Sequence, residues 1–228
     1  MIYPCSDPTT WGPSLDAAVH AVQRNEVIVL PTDTVYGVGA DAFSPNAVAS
    51  LLAAKGRGRQ MPPPVLIPDI RTVDGLAREV PEPARALMEH FWPGALTVIV
   101  FAQPSLAWDL GDTHGTVALR VPDHAAARAL LARTGPLAVT SANKTGKPAA
   151  TTAADAEAQL GTSVAVYLDA GTSPLGLSST IVDATNPAGL RIVRDGGVTL
   201  ADIVDVVGAD ALLDRSEHDA DAGGEPSK

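Results

Sequence analysis

Val27-Ile28-Val29-Leu30-Pro31-Thr32-Asp33-Thr34-Val35-Tyr36-Gly37 is the stretch whose reading decides the fold. An apolar run stops at Pro31 and empties into hydroxyls and a carboxylate, as a buried strand of an α/β sheet delivers polar groups to its end. Downstream, Lys55-Gly56-Arg57-Gly58-Arg59 puts three cations into five residues. Between the two, Ser44 as cap, Pro45 at the first helical position and Gly56 as stop bracket a helix. Strand, polar loop, helix and cationic turn form a unit able to hold an anionic ligand. Spacing alone leaves another reading open, in which Thr32 and Thr34 are turn residues and the cations are solvated at a helix C-terminus, where the macrodipole favours them.

Working outward, 228 residues with 46% hydrophobic content can bury a sizeable core, and one domain of about 200 residues is the simplest organisation. The net charge is −10; six acids against two bases after Gly208 account for −4 of it and leave −6 for the body. An acidic body argues against non-specific nucleic-acid binding, which depends on clustered cations. Cys5 stands alone, so neither an internal disulfide nor a multi-thiolate metal site is expected. No apolar run approaches the ~20 residues of a membrane span and no leader pattern opens the chain, which predicts a cytoplasmic location.

Residues 1–13, with three prolines, read as irregular. Ser14 reads as the cap of a helix whose apolar positions 15, 18, 19 and 22 share a face. Pro62-Pro63-Pro64-Val65-Leu66-Ile67-Pro68 reads as a short strand at an edge or irregular position, because proline cannot donate to a ladder. Thr116-Val117-Ala118-Leu119-Arg120 alternates and places Thr116, Ala118 and Arg120 on one face. An arginine there is costly to bury without an anion, which leaves a structural ion pair and a fork for a ligand carboxylate both open. A second apolar strand, 136–139, empties into Thr140-Ser141-Ala142-Asn143. Asp123 and Thr199 read as helix caps, and the acidic segment 209–228 as a disordered tail. The fold class is α/β, a single-domain twisted open mixed sheet with flanking helices over 14–208. Neither a Gly-x-x-x-x-Gly-Lys-Ser/Thr loop nor a Gly-x-Gly-x-x-Gly turn is present, so phosphates would be held by side chains.

Pro31 to Gly37 followed by Lys55-Gly56-Arg57 resembles the YrdC-like family of threonylcarbamoyl-AMP synthases. Trp92-Pro93-Gly94-Ala95-Leu96-Thr97, Ser141-Ala142-Asn143, Ser178-Ser179-Thr180-Ile181-Val182-Asp183 and Arg194 follow in the family's order. The resemblance covers about residues 14–208, the single-domain form without the family's extra C-terminal domain. It implies that L-threonine, bicarbonate or CO2, and ATP are converted to threonylcarbamoyl-AMP and pyrophosphate, the first step of threonylcarbamoyladenosine formation beside the tRNA anticodon. Lys55 and Arg57 are the implied catalytic cations. Thr34, Arg120, Thr140 and Ser179 are implied to bind threonine. The nucleotide contacts carried over are Arg57, Arg59, Thr116, Ser141, Asn143 and Arg194. Mg2+ is expected only as carried by ATP, with no dedicated protein metal site. Separate tRNA threonylcarbamoyl-transfer proteins would take the product, and no stable tRNA binding is expected. Where the family usually continues with Lys-Pro-Leu or Asn-Pro-Leu, this chain has Met61-Pro62-Pro63, so Arg59 is the expected substitute for a lost phosphate contact. Two rivals remain: a non-catalytic RNA-binding or ribosome-associated module of the same fold, and an O-carbamoyl or acyl-adenylate transfer domain with another acceptor.

Overall fold

The computed structural model describes residues 1–213. In chain order the described elements are β1 (Ile2–Pro4), α1 (Gly12–Gln23), β2 (Ile28–Leu30), β3 (Gly37–Asp41), α2 (Pro45–Lys55), β4 (Val65–Leu66), α3 (Val73–Leu76) and α4 (Glu82–Phe91). They continue with β5 (Leu96–Phe101), β6 (Thr116–Arg120), α5 (Ala125–Thr134), β7 (Leu137–Ser141), α6 (Ala153–Leu160), β8 (Val166–Asp169), β9 (Thr180–Asp183), β10 (Arg191–Arg194) and α7 (Leu200–Val207). All ten strands join one open sheet in the order β1-β8-β2-β3-β7-β4-β6-β5-β9-β10. The pairing is mixed: β1 with β8, β2 with β8, β4 with β6 and β5 with β9 are parallel, and the rest antiparallel.

Strand alternation feeds two cores. Ile28 and Leu30 of β2 and Leu137 and Val139 of β7 join Leu15, Val19, Leu130 and Leu131, so α1 and α5 cover one face of the sheet. Val29 and Ala138, one residue out of phase, join Leu51, Leu87 and Ile203 on the opposite face, under α2, α4 and α7. Burial on both faces is why these strands read as continuous apolar runs. Among the described residues no helix is long and apolar enough to cross a membrane.

Several local expectations change. Ile2–Pro4 is a strand pairing with β8, so the first residues are not all irregular. Helix α1 begins at Gly12, and Ser14 lies inside its first turn, donating its hydroxyl to the Pro4 carbonyl at 2.6 Å. β4 sits in the middle of the sheet, between β7 and β6. The flanking prolines limit it to two paired residues, while the Pro64 carbonyl, which proline retains, accepts from Val139 N at 2.8 Å. His124, not Asp123, is the residue before α5, and no side chain caps that helix. Thr199 caps α7 in a full capping box with Asp202, as the sequence suggests. At the other end, residues 209–213 belong to the fold: Ala209–Ala211 forms a 3-10 turn and Leu212 bridges Leu190 in parallel. The remainder of the expected tail, 214–228, lies outside the described residues.

Candidate active site

A cavity of about 330 Å³, within the size range of small-ligand sites, opens where the 32–36 turn, the end of β7 and the start of β9 meet. Thr34, Arg57, Thr116, Arg120, Thr140, Ser141, Ser179 and Arg194 all line it. Thr116, Ala118 and Arg120 of β6 line it together, joined by Val117. Lys55, Arg59 and Asn143 do not line the cavity.

Arg57 reaches the cavity because helix α2 ends on Gly56 in the left-handed conformation (φ 62, ψ 44), with Arg57 N donating to Leu52 O at 3.0 Å. A side chain larger than glycine resists that turn. Arg57 Nη1 donates to Thr140 Oγ1 at 2.9 Å, and its buried Nε has no partner among the described residues. Burial, then the neighbouring Arg194, lowers the Arg57 pKa, so an anion entering between the two guanidinium groups relieves both penalties. Arg194 donates from Nε and Nη2 to the Ser179 carbonyl, at 3.1 and 2.8 Å, and from Nη2 to Ser179 Oγ at 3.1 Å. That reach depends on Gly196: a Cβ there would lie 2.3 Å from the Ser178 carbonyl oxygen and 2.4 Å from the Ser179 carbonyl carbon, against the segment that leads into β9.

Lys55 stands one step behind the cavity. It is 3% exposed, and its ammonium donates to Ser141 O at 2.6 Å, Asn143 O at 2.7 Å and Asn143 Oδ1 at 3.2 Å. Three N–H donors meet three oxygens, so no proton is left over for a ligand. Asn143 completes the knot by donating Nδ2 to Lys144 O and Lys147 O. Together they shape the loop that presents Ser141.

Burial first, and Arg57 second, pull the Lys55 pKa down from 10.5 to about 8, against three acceptors that favour the charged form. The unfolded chain therefore holds more protons than the fold between about 8 and 10.5, and the Lys55 contribution to stability rises with pH across that window. Function moves the other way, because the neutral amine has lost a donor to the loop. An alkaline limb with an apparent pKa near 8 is expected in kcat/KM, with no matching fall in Tm. Paired rate and melting profiles from pH 6.5 to 9.5 check it, and a flat rate profile refutes it.

Arg120 realises the ion-pair alternative. Its Nη2 donates to Asp33 Oδ1 at 2.6 Å, its Nη1 to Thr34 Oγ1 at 2.9 Å, and its Nε to the Gly94 carbonyl at 2.9 Å. The Trp92–Gly94 turn thus helps to seat this arginine, while Trp92 itself is buried and donates Nε1 to Leu96 O. Arg59, expected as a phosphate contact, lies outside the cavity lining. It is 58% exposed and doubly bonded to Asp109 at 2.8 and 3.0 Å, with Asp112 at 3.8 Å, across the neighbouring loop. Its cation joins two surface loops whose Met61, Pro62, Leu110 and Thr113 wall the cavity.

The sequence reading missed Asp33 as a partner, and Thr32, Thr97 and Ser178 as lining hydroxyls. Thr32 and Asp33 lay in the opening motif, and Thr97 ended the Trp92–Thr97 element. What was absent was any sign that Thr97 Oγ1 meets Ser179 Oγ at 2.8 Å, 82 residues away.

A sequence profile of the Sua5/YciO/YrdC family, described as telomere recombination, matches residues 20–196. The chain belongs to this family. A Mycobacterium tuberculosis relative, provisionally named a threonylcarbamoyl-AMP synthase, is 51% identical over 209 residues, covering 92% of this chain and 96% of its own. The Bacillus subtilis threonylcarbamoyl-AMP synthase is 39% identical over 203 residues, 88% of this chain and 58% of its own length. The crystal structure of Pyrococcus abyssi Sua5 complexed with L-threonine has a TM-score of 0.87 at 30% identity, covering 93% of this chain and 62% of that one. The chain therefore spans a little under two thirds of the longer family members and nearly all of the mycobacterial one.

Proposed function

We propose that this member of the family is a threonylcarbamoyl-AMP synthase, joining L-threonine, CO2 or bicarbonate, and ATP. One observation carries the reading: three guanidinium groups, Arg57, Arg120 and Arg194, converge with the hydroxyls of Thr34, Thr140 and Ser179 on one cavity that no carboxylate side chain among the described residues lines. Such a surface suits two anions brought together, a carbamate and a triphosphate.

The hydroxyl directions sharpen the fit. Thr32 donates its only proton to Val35 O at 2.6 Å, so in the 3.0 Å contact between the two threonines Thr34 is the donor. Thr34 also accepts from Arg120, and what it offers a ligand is a lone pair, suited to the hydroxyl or N–H of threonine. Thr140 accepts from Arg57 and keeps its own proton for a carbonyl or phosphate oxygen. In the reaction the threonine amine takes up CO2 as a carbamate, releasing a proton. A carbamate oxygen then bonds to the α-phosphorus of ATP as the bond to the β-phosphate oxygen breaks, and pyrophosphate leaves. Little covalent chemistry falls to the protein; alignment and cations on the developing charge supply the rate. Arg57 and Arg194 fit the phosphate side, and Arg120 with Thr34 the amino-acid side. Lys55 acts through the Ser141 loop.

Among the described residues no group of three or more His, Cys, Asp or Glu side chains is placed to hold a metal ion. The residues present do not fit a protein-held Mg2+, and the ion would ride on the ATP phosphates. The product would pass to separate tRNA-modifying transfer proteins.

The test is pyrophosphate release from ATP with bicarbonate, comparing threonine, serine, valine and no amino acid. Threonine should exceed valine by at least ~10²-fold, because a site built to bond a hydroxyl leaves its own polar groups unpaired when the analogue lacks one. Equal release with all amino acids points to an adenylating domain with another acceptor. No release, together with salt-sensitive tRNA retention in a gel shift, points to an RNA-binding module.

A further inference from the structure

Asp33 does not line the cavity, yet it touches what aims Arg120 into it. Its Oδ1 accepts from Arg120 Nη2 at 2.6 Å and from the Asp123 backbone N–H at 3.0 Å, and its carbonyl accepts from Leu175 N at 3.1 Å. The residues on either side of it, Thr32 and Thr34, do line the cavity. Asp33 is 8% exposed and Arg120 6%.

A guanidinium carries five N–H donors. Arg120 commits three of them, one from each nitrogen, to Gly94, Thr34 and Asp33. One N–H therefore remains on each terminal nitrogen, enough to give one bond to each oxygen of a carboxylate. The other charged and titratable groups facing Asp33 do not substitute for this pairing. Asp123 has the same sign. His124 favours its neutral form, since burial lowers its pKa and its Nδ1 is buried without a partner among the described residues. Arg120 and Asp33 are thus each other's countercharge in a dry place, where an unpaired charge is far more costly than a paired one.

We propose that Asp33 is a positioning residue for amino-acid recognition: it anchors Arg120 so that the two uncommitted N–H groups meet the substrate carboxylate, setting affinity for the amino acid without touching it. The inference rests on the reading of the cavity as a threonine site. Asp33 also ties the turn after β2 to the segments at 123 and 175, while Arg120 itself reaches Gly94, so the fork is held at three places, Asp33, Thr34 and Gly94, instead of swinging on a flexible stem.

Asp33→Asn tests it, because the amide keeps the shape and an acceptor oxygen and removes only the countercharge. The expected result is a ~10–100-fold rise in KM for L-threonine, the span of one charge-assisted contact, with kcat and KM for ATP each within about 3-fold of wild type. Preference for L-threonine over neutral L-threoninamide should fall by a similar factor, and Asp33→Glu should restore part of it. A scaffold role predicts otherwise: KM for threonine and for ATP rising together, or kcat falling with Tm, overturns the proposal. Unchanged KM for threonine in Asp33→Asn overturns it too, while leaving the synthase reading intact. Wild-type protein that neither releases pyrophosphate with threonine nor binds threonine in calorimetry overturns both.

Discussion

Arg57→Ala should cut threonine-dependent pyrophosphate release by about 10²–10³-fold, the loss typical when one preorganised group on developing charge is removed, and leave Tm within ~2 °C of wild type. The separation of the two effects follows from what Arg57 does in the fold. Among the described residues its guanidinium makes one hydrogen bond, to Thr140, leaves Nε buried without a partner, and sits near the cations of Lys55 and Arg194. Little stabilising contact is lost on truncation, and two like-charge repulsions are relieved. The same relief should move the alkaline limb attributed to Lys55 upward, because Arg57 is one of the two causes that hold its pKa down. Activity assays beside melting curves and a pH–rate profile of the variant test all three points. A variant that turns over normally removes Arg57 from the phosphate side of the reaction.

Lys55→Met is the second large effect, with a different signature. Methionine fills the volume of the lysine stem and leaves Ser141 O, Asn143 O and Asn143 Oδ1 without their donor. Each buried acceptor left unsatisfied costs ~1–3 kcal/mol. Removing a charge from a dry site returns part of this, so a net loss of about 2 kcal/mol is expected, or ~4–8 °C in Tm for a domain of this size. Release of the loop should shift Ser141 and lower kcat by ~10²-fold, the usual cost of a misplacement of about 1 Å. The two variants separate the roles: Arg57→Ala loses rate without stability, and Lys55→Met loses both. A Lys55→Met protein with wild-type Tm but no activity would place the ammonium on the substrate instead of under the loop.

Much of the scaffold was legible because it depends on neighbours in the chain. Ser44, Pro45 and Gly56 bound α2 as expected, with the Ser44 side chain accepting from Ala47 N. Thr152 and Thr199 cap their helices, and β6 alternates as its sequence does. Errors arose where a local rule met a distant partner. Prolines suggested an edge or irregular position for β4, but two antiparallel pairs to β7 and two parallel pairs to β6 hold it in the centre. Ser14 looked like a cap, and instead bonds the strand before its helix.

The amino-acid sequence by itself determined the α/β class, the two strand ends that open into hydroxyls, the alternation that singles out Arg120, and the family motifs that bring Lys55, Arg57 and Arg194 into consideration. Tertiary structure alone decided what each cation does. Lys55 meets Asn143 across 88 residues, Arg120 meets Asp33 across 87, and Arg59 meets Asp109 across 50. Arg57 and Arg194 are left with donors for an anion, and Arg120 keeps two beyond those it spends on Gly94, Thr34 and Asp33. The physical reason is that caps and alternation are set by a few neighbouring residues. A buried cation must instead find oxygens wherever the sheet order brings them, and in this sheet β3 lies beside β7 and β5 beside β9.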